Sequence, residues 1–96
     1  MKLLEIQRQL KKRRNYREGA YSISVNLEHP GDEFQEFLKI KVTEDNKTVA
    51  KAIFKQWAGK NKWEPLSITV ENPQLKTSLR EMMYNAATHA GFFIKD

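Results

Sequence analysis

The stretch that most constrains this chain runs from Asn72 to Gly91, NPQLKTSLREMMYNAATHAG, because both ends of a helix are written into it. The Asn72 side chain can accept from the free N–H groups of a first turn, and Pro73 suits the first helical position. Gly91 suits the left-handed residue that ends a helix. Between them Leu75, Leu79, Met82, Met83, Ala86 and Ala90 recur at intervals of three and four, so one face of the helix is apolar. That face needs a sheet to cover. The small residues Ala86, Ala87, Ala90 and Gly91 thin the last turns and let the helix approach its support closely.

Strands supply the support. From Tyr21 to Leu27, Tyr21, Ile23, Val25 and Leu27 alternate with Ser22, Ser24 and Asn26, the period of a strand with one face buried. Pro30 and Gly31 suit the centre of a type II turn. A second strand follows over 34–42, where Leu38, Ile40 and Val42 alternate with Lys39 and Lys41, so the two strands form an antiparallel hairpin. Glu36 and Phe37 break the phase, which predicts a bulge or an exposed strand end there. Leu66, Ile68 and Val70 alternate with Ser67 and Thr69 in a third strand. Phe92, Phe93 and Ile94 are apolar enough to close the domain as a short strand or an ordered tail.

Two segments are expected to be helical besides the last one. Thr43 to Asn46 offers N-caps ahead of KTVAKAIFKQWAGK, in which Val49, Ile53 and Trp57, flanked by Ala50 and Phe54, make an apolar face and Gly59 a stop. Residues 2–14 carry Leu3, Ile6 and Leu10 on one stripe with Leu4 beside it, a short helix of marginal stability in isolation. Asn15 to Gly19 reads as a connection. The fold class is therefore α+β, in the order (α)-β-β-α-β-α: a mostly antiparallel three-stranded sheet with helices on one face. Ser, Thr, Asn and Lys occupy the polar phase of the strands, so the other face is open to solvent and mildly basic through Lys39 and Lys41.

Ninety-six residues suit one core, and the organisation expected is a basic arm over 1–17 and a single domain over 18–96. The absence of cysteine excludes disulfides and thiolate metal sites. With no apolar run long enough to span a bilayer and no signal-peptide core, a cytoplasmic location is expected. The formal net charge is +5, and it is unevenly spread. Lys2, Arg8, Lys11, Lys12, Arg13, Arg14 and Arg17 face one acid, Glu5, so residues 1–17 carry +6 and the remainder sums to −1. A local basic cluster points to an anionic partner.

Catalytic and cofactor signatures are missing: there is no Gly-rich phosphate loop, nucleophile elbow or metal-ligand spacing, and the two histidines, His29 and His89, stand far apart. An enzyme, a metal centre and a cofactor are therefore not expected. Binding features are present in three groups. The N-terminal arm combines Arg8, Lys11, Lys12, Arg13, Arg14 and Arg17 with Tyr16. The middle segment carries Lys47, Lys51, Lys55 and Lys62 with Trp63 nearby. The last helix aligns Lys76, Arg80 and Tyr84. Cations that neutralise phosphates, with Tyr16 or Trp63 as stacking groups, lead to the expectation of a small nucleic-acid-binding module, DNA and RNA both being open. The alternative is an adaptor or inhibitor, of the kind a phage or mobile element encodes. It would engage an acidic surface of a larger host protein through Leu3, Leu4, Ile6 and Leu10 of the arm. A homodimer joined through an edge strand or the arm fits either.

Overall fold

Strand alternation dominates the chain more fully than its sequence periods imply. The computed structural model describes residues 13–28, 35–57 and 62–95. Five strands follow one another: β1 (Arg13–Glu18), β2 (Tyr21–Glu28), β3 (Gln35–Glu44), β4 (Lys47–Trp57) and β5 (Glu64–Val70). A 3-10 turn (Pro73–Leu75) and one α-helix, α1 (Lys76–His89), complete the order. The sheet is an antiparallel meander, β1-β2-β3-β4-β5, in which every strand pairs with its neighbour in sequence. The class is α+β as expected, but with five strands in place of three and one described helix.

Two expected elements are corrected. The segment beginning at Lys47 is strand β4, and its start is set by the turn before it. Asp45 and Asn46 both adopt left-handed φ, 52° and 64°, and Glu44 pairs directly with Lys47. That is the two-residue hairpin geometry whose twist matches the flanking strands, and Asn and Asp tolerate it better than most residues. Once the chain reverses there, Ala50, Ala52 and Phe54 fall inward and Lys51 and Lys55 fall on the opposite face. Likewise Asn15 to Glu18, expected as a connection, belongs to β1. It joins β2 through Gly19 (φ 59°) and Ala20. The helix proposed for residues 2–14 lies outside the described residues up to residue 12.

The bulges also fall elsewhere than at Glu36 and Phe37. One register shift lies between Val42 and Thr43, where β4 supplies an extra residue, and another between Ile53 and Phe54, where β5 does. The first brings Val49 and Ala50, adjacent in sequence, both toward the core. The second leaves Leu66 52% exposed on the edge strand. Together with Pro65, which lacks an N–H, it interrupts an otherwise regular pairing edge.

The helix keeps the ends its sequence predicts, but Leu75, expected on its buried face, is exposed in the 3-10 turn ahead of it. Asn72 Oδ1 accepts from Gln74 N at 3.0 Å, capping the 3-10 turn that runs straight into α1. At the other end Gly91 has φ 94°; its N–H donates to Thr88 O at 3.0 Å and the Phe92 N–H donates to Ala87 O at 2.9 Å. This pair of bonds is the Schellman motif. Leu79, Met83, Ala86, Ala87 and Ala90 are buried against the face of the sheet that carries Ile23, Val25, Leu38, Ile40, Val42, Ala50, Ala52 and Phe54. The chain then turns back beneath Trp63. Phe92 meets its indole edge-on with centroids 5.5 Å apart, and Trp63 exchanges backbone bonds with Phe93 O (2.8 Å) and Lys95 N (2.7 Å). The apolar tail is thus a parallel bridge, Trp63 to Ile94, that clasps the start of β5.

Candidate nucleic-acid interface

All the described helical structure lies on one side of the sheet, and no described element covers the other. In an antiparallel ladder directly opposed residues share a face, so the pairing registers give the composition of the open side. One row crosses all five strands: Asn15, Ser24, Lys41, Lys51 and Thr69. A second carries Asn26, Lys39, Ile53 and Ser67, and a third Glu28, Phe37, Lys55 and Glu64. Beyond the first row, toward the β3–β4 turn, Arg17, Ser22 and Thr43 continue the face.

The side chains on this face are cationic or hydrogen-bonding with few exceptions. Arg17, Lys39, Lys41, Lys51 and Lys55 stand against Glu28 and Glu64. One of these acids is engaged, since Lys39 Nζ lies 2.9 Å from Glu28 Oε2. Both groups of that pair are more than two-fifths exposed, so the bridge contributes at most about 1 kcal/mol, and among the described residues none of the other four cations is in ion-pair contact. Lys41 and Lys51 face each other directly across β3 and β4, both exposed.

The residues expected to bind are only partly brought together. Lys51, Lys55 and Arg17 join Lys39 and Lys41 on the open face, because β4 is a strand and residues four apart on a strand point the same way. Lys47 does not join them: it pairs with Glu71 at 3.0 Å, beside a cleft lined by Tyr21, Glu44, Leu75 and Leu79 at the start of the helix. Lys76 and Arg80 lie on the helix. Arg80 stacks over Tyr84, 5.0 Å from its centroid, and Tyr84 in turn meets Phe54 edge-on at 5.5 Å. Lys62 is exposed just ahead of the clasp.

Neither stacking candidate occupies the open face. Trp63 is 1% exposed, so its ring is a core group and not a platform for a base. Tyr16 sits opposite Ile23 on the helix side, 6.3 Å from the His89 ring. Arg13 and Arg14 belong to β1, opposite Asn26 and Val25. Arg8, Lys11 and Lys12, and the apolar stripe of Leu3, Leu4, Ile6 and Leu10, lie outside the described residues. Lys39 and Lys41 were absent from the expected binding groups because their lysine pattern identified a solvated strand face and nothing more. Only the five-strand register turns them into the middle of a surface.

Among the described residues, no group of three His, Cys, Asp or Glu side chains could hold a metal ion, and no helix is long and apolar enough to cross a membrane. In comparisons with protein-family models, curated proteins and solved structures, no match to the chain was found.

Proposed function

We propose that this protein is a small nucleic-acid-binding module that contacts phosphates through the open face of its sheet. The observation that carries the reading is the charge of that face among the described residues: five cations, on β1, β3 and β4, against two carboxylates of which one is already paired. Lys41 and Lys51 stand about 4.8 Å apart across adjacent strands, with Lys39 and Lys55 in the rows beyond them, a spread of charge that suits a polyanion better than a small anion. The basic N-terminal segment leads directly into β1, so its charge adds to the same electrostatic field. Of the middle group of lysines, Lys51 and Lys55 take part through β4 in place of the helix expected from sequence, and Lys39 and Lys41 join them.

The test is a fluorescence-anisotropy titration of the full chain against labelled duplex and single-stranded oligonucleotides at two salt concentrations. Binding should weaken with salt, log affinity falling against log salt by about 0.9 for each duplex phosphate neutralised. Replacing Arg17 and Lys55 together by Gln should lower both affinity and slope. Absence of binding to every oligonucleotide at low salt would overturn the reading.

A further inference from the structure

Resting on that reading, the geometry points to a phosphate-binding subsite at one corner of the open face, where Arg17, Asn15, Ser22 and Ser24 hold a phosphoryl group of the nucleic acid with Lys41 beside it. Shape is the first reason. On β1, β2 and β3 the register places Arg17, Ser22 and Thr43 in one row and Asn15, Ser24 and Lys41 in the next. Strands about 4.8 Å apart and rows about 7 Å apart gather these six side chains into a patch roughly 10 Å across. The short side chains in its middle, Ser22, Ser24 and Thr43, leave a hollow of about 410 Å³, edged on the β1 side by Asn15 and Arg17. Its floor is the strand backbone at Tyr16 and Ile23, whose own side chains pack on the helix side.

Chemistry is the second reason. The hollow is lined by donors: the Arg17 guanidinium fork, which can meet two phosphate oxygens at once, the Asn15 amide and the two serine hydroxyls. Thr43 Oγ1 donates to Ser22 O at 3.5 Å and ties the β2 and β3 sides of the hollow together. None of the described residues lining it is an acid. Glu18 and Glu44, next in sequence to Arg17 and Thr43, are both aligned with Tyr21 in the opposite phase of the strands.

The third reason is the contrast with the far half of the same face. There Lys39 is paired with Glu28 at 2.9 Å, and Lys55 lies opposite Glu64. Around the hollow Arg17 is exposed, and Lys41 directly faces Lys51, a like-charge arrangement that destabilises an antiparallel pair. Among the described residues none of these three cations is in ion-pair contact, so an anion seated here meets positive charge that the protein has not itself neutralised. A phosphoryl group beside Ser24 engages Arg17 and also relieves the repulsion between Lys41 and Lys51.

The experiment has two arms, both on the full chain. In the first, isotope-labelled protein is titrated with inorganic phosphate, and separately with sodium chloride at matched ionic strength, and followed by NMR. Phosphate is expected to shift the Ser22, Ser24 and Thr43 amide signals and the Arg17 side-chain signal saturably, and chloride is not. In the second, anisotropy is read for one oligonucleotide with and without a terminal phosphate, against the wild-type, Arg17→Gln and Lys55→Gln chains. Arg17→Gln should lower affinity about tenfold, as loss of hydrogen bonds to a charged group does, and Lys55→Gln about twofold, with both melting temperatures unchanged. Equal affinity for the two oligonucleotides would assign the subsite to a backbone diester, and tighter binding of the phosphorylated one to a strand end. Phosphate shifts spread evenly over the lysines of the face, or equal losses in the two variants, would overturn the subsite while leaving nucleic-acid binding intact. Saturable shifts at the hollow without binding of any oligonucleotide would keep the subsite and remove the reading it rests on.

Discussion

The two faces of this sheet are made by the same strands and differ in nearly everything else. On the side under α1, residues of β2, β3 and β4 are aliphatic or aromatic and largely lose contact with solvent: Val25, Leu38, Ile40, Val42, Ala52 and Phe54 are all fully buried. One residue away in each strand stand Ser24, Lys39, Lys41, Lys51, Ile53 and Lys55, half-buried or exposed. The difference separates two jobs within a few ångströms of backbone. The covered side determines whether the chain folds, and the open side is free to be chosen for what it meets.

Breaking the covered side should have the largest effect. Phe54→Ala removes a fully buried ring that also packs edge-on against Tyr84, and should cost about 3–5 kcal/mol in urea unfolding. Overfilling it should come next. Ala87 is fully buried in the core beneath α1, and Ala87→Leu forces the helix outward at about 1–3 kcal/mol, read as a lower denaturation midpoint. At the seam between the faces, Asn46→Ala places a residue less tolerant of left-handed φ in the β3–β4 turn. It should cost roughly 1 kcal/mol by thermal melting, and Asn46→Gly should restore it.

The open side should respond in the opposite sense. Lys51→Glu sets a carboxylate opposite Lys41, exchanging a repulsive cross-strand pair for an attractive one, and should stabilise the fold by about 0.2–1 kcal/mol. The same substitution should weaken oligonucleotide binding measured by anisotropy. A variant more stable and less competent would sharpen the division between the faces. Lost stability with unchanged binding would break it.

The covered side was also the more readable one from sequence. Tyr21 to Leu27 and Leu38 to Val42 show their period because both faces of those strands are chemically distinct, and the last helix carries its cap, its stripe and its terminal glycine. Strand β4 hides its period for a physical reason. The bulge at Val42 and Thr43 sends both Val49 and Ala50 inward, which breaks strict alternation, and the remaining Ala, Lys and Gln residues are good helix formers. Asp45 and Asn46 serve a helix start and a tight hairpin equally well in sequence, and only the left-handed φ values distinguish the two uses. Strand β1 offers only Tyr16 as an apolar side chain, so its membership of the sheet comes from pairing with β2 and not from its own pattern. The candidate interface was correspondingly divided among an arm and two helices, although its central row crosses all five strands.

The unbroken meander has a consequence in time as well as in space. Each strand finds its partner just upstream or downstream, so most of the sheet can assemble by zipping short hairpins, with little chain to close for each step. Joining Trp63 to Ile94 is different, because the intervening chain must form α1 and dock it before the two segments meet. The clasp is therefore a late event in folding. In a chain carrying Trp57→Phe, an emission change from Trp63 is expected to report completion of the domain, well after its first hairpins have formed.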